Sequence, residues 1–189
     1  MSQRTYVKRL RMESPLTGLA DGQALPHSFS LASWAPDRAA DHAAVQWLAF
    51  RDSLDALVFP NLGRLDGCLQ LMRIITDHGG FIPGATWLVR GREGYCGCVQ
   101  GVREGGVGVI QNLAVVPDCQ GRGLGTSLLD ACLNGFRAVG LRAAQLEVSA
   151  RNGRACRLYH EAGFQIVKTL YREIRADGGE YFIWKFIHR

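Results

Sequence analysis

The stretch from Asn112 to Leu129 constrains this chain more than any other. An apolar run, Val107 to Val116, reads as a strand and ends at the turn Pro117-Asp118. A glycine-rich loop follows, Gln120-Gly121-Arg122-Gly123-Leu124-Gly125, and opens a helix with apolar residues at Leu124, Leu128, Cys132 and Phe136. The first backbone N–H groups of a helix have no partner inside it, and the helix dipole adds partial positive charge there. Glycines let a phosphate approach the backbone with no Cβ in the way. Strand, loop and helix start together make an anion cradle, suited to a phosphorylated cofactor.

The spacing of that loop sorts the cofactor classes. A P-loop needs a Lys-Ser/Thr pair after its last glycine, and Thr126-Ser127 follows here without a lysine. A dinucleotide fingerprint needs G-x-G-x-x-G in a first βαβ unit, and Gly121-Arg-Gly123-Leu-Gly125 has neither that spacing nor that place. What stands is Q-x-x-G-x-G. Further on come Leu146-Glu-Val-Ser-Ala-Arg-Asn152, then Ala155, Leu158-Tyr159 and Gly163-Phe164. The two motifs, in this order, resemble the signatures of the GNAT superfamily of acyl-CoA N-acyltransferases. The resemblance runs roughly from Phe29 to Phe186. It is sharpest from Asn112 to Phe164, where it is close to the ribosomal-protein alanine N-acetyltransferase branch.

The resemblance implies an α/β fold: a mixed, mostly antiparallel sheet of six to seven strands, a central parallel pair that splays, and helices on both faces. It implies acetyl-CoA as donor, with a longer acyl chain open, and a primary amine as acceptor, either a small amine or a protein N-terminus. The backbone of Leu113, Ala114 and Val115 would hold the pantetheine amides by strand addition. The backbone of Gln120, Gly121, Arg122, Gly123, Leu124 and Gly125 would hold the pyrophosphate. Asn152 would bond the cofactor and also suits an N-cap. Tyr159 is expected as the general acid that protonates the departing thiolate, and Glu147 as the general base. Glu147 lies between Leu146 and Val148 and points away from both in a strand, where a carboxylate needs a partner or a cavity. Its structural alternative is an ion pair with Arg142 or Arg172. A contrasting reading, a non-catalytic acyl-CoA-binding regulatory module, is disfavoured by the presence of both Glu147 and Tyr159.

Along the chain the pattern gives a strand at Tyr6–Met12, then a Gly/Pro-rich arm from Ser14 to Pro26. Residues 1–26 thus read as an N-terminal strand and arm, and 27–189 as the acyltransferase domain. Within it, the expected elements are a strand at His27–Trp34, a helix capped by Asp37 through Arg51, an irregular stretch over Leu54–Asn61 broken by Pro60, and a helix over Leu65–His78. Strands are expected at Ala85–Arg90, Gly94–Val102, Val107–Val116, Ala144–Ser149, Phe164–Ile174 and Tyr181–Ile187, with helices over Gly123–Val139 and Asn152–Ala162. The acceptor pocket falls to residues 37–82, which hold Asp52, Asp55 and Asp66, and to the Asp177-Gly-Gly179 hairpin.

Other classes lack support. The net charge is +5, and the positive charge is almost all arginine, with lysine only at positions 8, 168 and 185, and no basic run. That suits an anionic ligand better than nucleic acid. The six cysteines lack zinc spacing, so no metal is expected. Cys96 and Cys98 read as facing one side of a strand. His27, His42, His78, His160 and His188 are isolated from any nucleophile, and Trp34, Trp47, Trp87 and Trp184 are core or pocket wall. There is no signal-like segment or membrane span, which makes the cytoplasm the default location. The Ser14–Pro26 arm is placed to embrace a second subunit, leaving a homodimer open.

Overall fold

The computed structural model of the protein describes residues 4–17 and 25–174. Along the chain run β1 (Thr5–Pro15), β2 (Ser30–Ser33), α1 (Ala39–Phe50), α2 (Leu54–Val58), α3 (Leu65–Asp77), β3 (Trp87–Gly91), β4 (Gly94–Glu104) and β5 (Val107–Val115). Then come α4 (Leu124–Ala138), β6 (Ala143–Ser149), α5 (Gly153–Glu161) and β7 (Gln165–Ile174). The strands form one seven-stranded sheet in the order β2-β3-β4-β5-β6-β1-β7. Every pair is antiparallel except β5 with β6, which α4 connects. The expected strand Tyr181–Ile187 and the Asp177–Gly179 hairpin lie outside the described residues, as does Trp184.

β1 runs between β6 and β7, with Leu10 opposite Val148 on one side and Thr169 on the other. The N-terminal strand is therefore an interior member of the sheet, not a fringe. One sheet face packs on α4, whose Leu124, Leu128, Cys132 and Phe136 are buried against Val99, Ile110, Leu146 and Val148. Gly101 and Gly108 make room for the Phe136 ring, since a Cβ on either would lie 2.6 or 2.4 Å from its atoms. The other face packs on α1 and α3, through Ala43, Met72 and Ile75 against Val7, Val102 and Val109.

Local chemistry moves several boundaries from their expected places. Pro36 starts a 3₁₀ turn, Pro36–Arg38, that takes Asp37 into itself, so α1 begins at Ala39 with no side-chain cap. The stretch expected to be irregular contains α2, because Ser53 Oγ accepts from the Ala56 N–H and starts a short helix that closes before Pro60. Cys96 and Cys98 do not share a face. A register shift after Val89 makes Cys96 an extra residue in β4, so it packs on the α4 side while Cys98 packs on the α1 side.

Candidate active site

β5 and β6 pair only at Gly108–Ala144 and Val109–Gln145, then part. From Ile110 onward β5 keeps its partner in β4, with Val99 opposite Leu113, Cys98 opposite Ala114 and Gly97 opposite Val115. The edge of β5 that faces β6 is thus left without a strand along Leu113–Val115. A second irregularity lies in the same place. Gln100 is opposite Asn112 but Gly101 is opposite Ile110, so Gln111 is an extra residue in β5. Strict alternation would put Ile110 and Leu113 on opposite faces, yet both pack toward α4. The bulge absorbs the difference and leaves Gln111 and Asn112 lining the opening between the strands.

The loop between β5 and α4 is shaped by two left-handed glycines, Gly121 and Gly123, both at φ +78°. A side chain there would be strained. Open space lies where a Gly121 Cβ would point, and a Cβ on Gly125 would come within 3.4 Å of Leu158. Ser127 N–H donates to Gly123 O, which leaves the preceding N–H groups ahead of the helical ladder. Gln120 fixes the loop by its side chain: Nε2 donates to Val115 O at 3.0 Å, and Oε1 accepts from Arg154 at 2.6 Å. Arg122 donates to Asp118 O and lies over the Phe29 ring. Arg154, on the first turn of α5, puts a cation beside the loop that the sequence reading missed. Loop, free β5 edge and α5 line a groove of about 450 Å³.

The groove shares Phe50, Leu113, Asp55, Asn152 and Ala155 with a smaller inner pocket of about 60 Å³. Asn152 Oδ1 caps α5 by accepting from Ala155 N–H at 3.1 Å. Tyr159, on the buried side of α5, lines the inner pocket and packs edge-on against Phe164, 5.9 Å between centroids. Burial pushes the phenol pKa up, and the negative charge of Asp55 adds to the effect. Opposite lies an ionic cluster drawn from four elements. Glu147 Oε1 accepts from Arg9 Nε at 2.6 Å and Arg172 Nε at 3.1 Å, and Oε2 accepts from Arg172 at 3.0 Å. Arg9 also bonds Asp55 Oδ1 and the Glu147 carbonyl, and its guanidinium lies over Phe59. The Glu147 side chain has no exposed surface, whereas Asp55 keeps 15%. Of the two arginines weighed for Glu147, Arg172 makes these contacts, and Arg9 is the partner that sequence did not suggest. Asp52 and Asp66 stay on the surface, paired with Arg51 and Arg64. His42 is buried elsewhere, on the sheet-facing side of α1, with Nδ1 against Gln100 Nε2 at 2.8 Å.

A groove on a splayed parallel pair, closed at one end by a glycine loop, matches the sequence signatures, and the sequence model of the acetyltransferase (GNAT) family covers residues 47–164. The chain belongs to the GNAT acetyltransferase family. Among curated GNAT relatives, the mycothiol acetyltransferase of Beutenbergia cavernae is 33% identical over 147 residues, 74% of this chain and 46% of its own length. The chain spans about half the length of that relative. A GCN5-related N-acetyltransferase from Sphaerobacter thermophilus superposes with a TM-score of 0.67 at 22% identity, over 91% of this chain and 53% of its own. The ribosomal-protein-S18-alanine N-acetyltransferase of Escherichia coli gives a TM-score of 0.57 at 17% identity, over 82% of this chain and 99% of its own. These two likenesses concern the GNAT fold.

Proposed function

We propose that the protein transfers an acetyl group from acetyl-CoA to a small primary amine by direct attack. The reading is carried by the walls that groove and inner pocket share, with Tyr159 lining the inner pocket beside them. The residues fit the donor. The left-handed glycines keep Cβ atoms out of the cradle, the first turn of α4 offers N–H donors, and Arg154 and Arg122 add positive charge. Bound there, acetyl-CoA supplies an activated acyl carbonyl and a thiol leaving group. Leu113 and Val115 hold the pantetheine amides along the open edge of β5, with Ala114 between them facing β4, while Gln120 to Gly125 hold the pyrophosphate. Asn152 adds its amide nitrogen to the groove wall, its oxygen being engaged at the cap.

Tyr159 Oη then protonates the departing sulfur. Its raised pKa keeps the proton on the phenol at neutral pH, the state a general acid needs. Glu147, expected from the motif as the base, has its two oxygens engaged by three guanidinium N–H groups and no exposed side-chain surface. Its role here is to anchor Arg9 and Arg172 against the pocket. Calorimetric titration with acetyl-CoA, CoA and ADP tests the donor half. Micromolar binding of both CoA species and much weaker binding of ADP is expected, and Gly123→Glu should abolish both by placing bulk and negative charge in the cradle. Failure of either CoA species to bind refutes the assignment. Binding with no thiol release for any amine would favour the non-catalytic module.

A further inference from the structure

We infer that Asp55 receives the acceptor's amine and takes its first proton, while the amide ends of Gln111 and Asn112 select an amine with a hydrogen-bonding group next to the nitrogen. The inference rests on the acyl-transfer reading above and adds the acceptor half to it. Two carboxylates reach the inner pocket, and they differ in what is left of them. Glu147 is enclosed by Arg9 and Arg172. Asp55 gives Oδ1 to Arg9, keeps exposed surface, and is the one of the two that lines both groove and pocket. It therefore lies where the thioester end of a groove-bound donor and an incoming amine would meet. Tyr159 faces it closely enough for its charge to raise the phenol's pKa. The charged groups around Asp55 are thus Arg9, Arg172 and Glu147, with Tyr159 across the pocket.

The second observation is independent of charge. Gln111 and Asn112 are each 8% exposed and both line the inner pocket, yet Gln111 Oε1 and Asn112 Nδ2 are buried without a hydrogen-bond partner. Buried polar atoms are rarely left unpaired, and where they are, a ligand is one resolution. Here the unpaired set is one acceptor and one donor, which a hydroxyl or amide can match. Size limits the rest. About 60 Å³ is room for roughly four to six water molecules, so the pocket admits an amine and a few neighbouring atoms.

The proton path closes. Asp55 Oδ2 takes one proton from the ammonium and passes it to solvent along the groove. The neutral nitrogen forms the C–N bond to the acyl carbon as the C–S bond breaks and Tyr159 Oη gives its proton to sulfur. The nitrogen's second proton restores Tyr159. The products are the amide, the free thiol and one released proton.

The experiment compares 2-aminoethanol with n-propylamine, equal in heavy atoms, by thiol release at saturating acetyl-CoA, and by calorimetric binding of 2-aminoethanol to the CoA complex. The wild type should prefer 2-aminoethanol by about tenfold or more in kcat/KM. Asp55→Asn should lower kcat/KM by about 10²-fold or more, abolish 2-aminoethanol binding, leave CoA affinity within about threefold, and regain rate as pH approaches the amine's own pKa. Asn112→Leu should cut the preference to within about threefold, which decides the matter if Asp55→Asn also loses CoA affinity. An Asp55→Asn protein with more than a third of wild-type kcat/KM overturns the inference. So does a wild type that acetylates neither probe or prefers propylamine, or an unchanged preference in Asn112→Leu. Loss of acetyl-CoA binding by the wild type would instead sink the donor reading.

Discussion

Glu147→Gln separates an anchoring carboxylate from a catalytic base. The wild-type side chain has no exposed surface and accepts three guanidinium N–H bonds from Arg9 and Arg172. Glutamine keeps the shape but replaces one oxygen by an NH₂ group, which points a donor at donors. Breaking a buried pair by removing one partner costs about 3–5 kcal/mol. Asp55 still holds Arg9, and Arg172 is 25% exposed and can turn toward water, so the lower end applies, about 3 kcal/mol. For a chain of this length each kcal/mol lowers Tm by about 2–4 °C, which gives a drop of about 6–12 °C. Thermal unfolding followed by circular dichroism measures it, with thiol release below the transition measured in parallel. A variant that melts within about 1 °C of wild type but has lost about 10²-fold or more in kcat would refute the anchoring argument and return Glu147 to the role of base.

The other expectations concern single groups. Tyr159→Phe should lower kcat by about 10²-fold with CoA affinity unchanged, and because burial raises the wild-type phenol's pKa, thiol release should show no loss from its ionisation up to about pH 10; an unchanged kcat removes its assignment. Arg154→Ala should weaken CoA binding about tenfold, the value of one charge-assisted hydrogen bond, and flatten the salt dependence of that binding in calorimetry. His42 has its pKa pushed down to about 3 by burial, with Arg38 contributing. Below its ordinary value of 6.5 the unfolded chain binds a proton that the folded one refuses, so stability falls as pH drops from 6.5 toward 3. The loss is about 2 kcal/mol by pH 5. Urea unfolding at pH 7 and pH 5 should show it, and His42→Asn should flatten the slope even if it lowers stability at pH 7.

What could be read from the sequence was local. The β5–loop–α4 segment and the start of α5 declare themselves because glycine spacing, a cap residue and helical periodicity are all set within a few neighbours, and Asn152 does cap α5. Phe136 was legible as a core position, but not the two glycines on separate strands that make its seat. The inner pocket was hidden for a different reason. Its charged residues come from β1, α2, β6 and β7, so their meeting depends on a strand order that no local pattern encodes. Asp55 also sat in a stretch that Pro60 made look irregular, though a five-residue helix fits before it. The bulge at Gln111 leaves no mark in a run of apolar and polar residues, because alternation alone cannot show which residue is extra.

The position of β1 bears on when this protein becomes competent. Arg9 pairs with Ser149 across β6, and its neighbour on the other side is Leu170 in β7. Such long sequence separations delay closure, since chain entropy is lost before the contacts are gained. During synthesis the first strand must therefore wait, unhoused, until β6 and then β7 have emerged. Until then β6 carries an open edge beside Leu146 and Val148, the kind of surface that recruits other chains. Arg9 travels with β1, so Asp55 and Glu147 acquire their shared counter-ion only in that last docking step. The walls of the larger groove come from elements other than β1, whereas the pocket beside it takes Arg9 as part of its own wall.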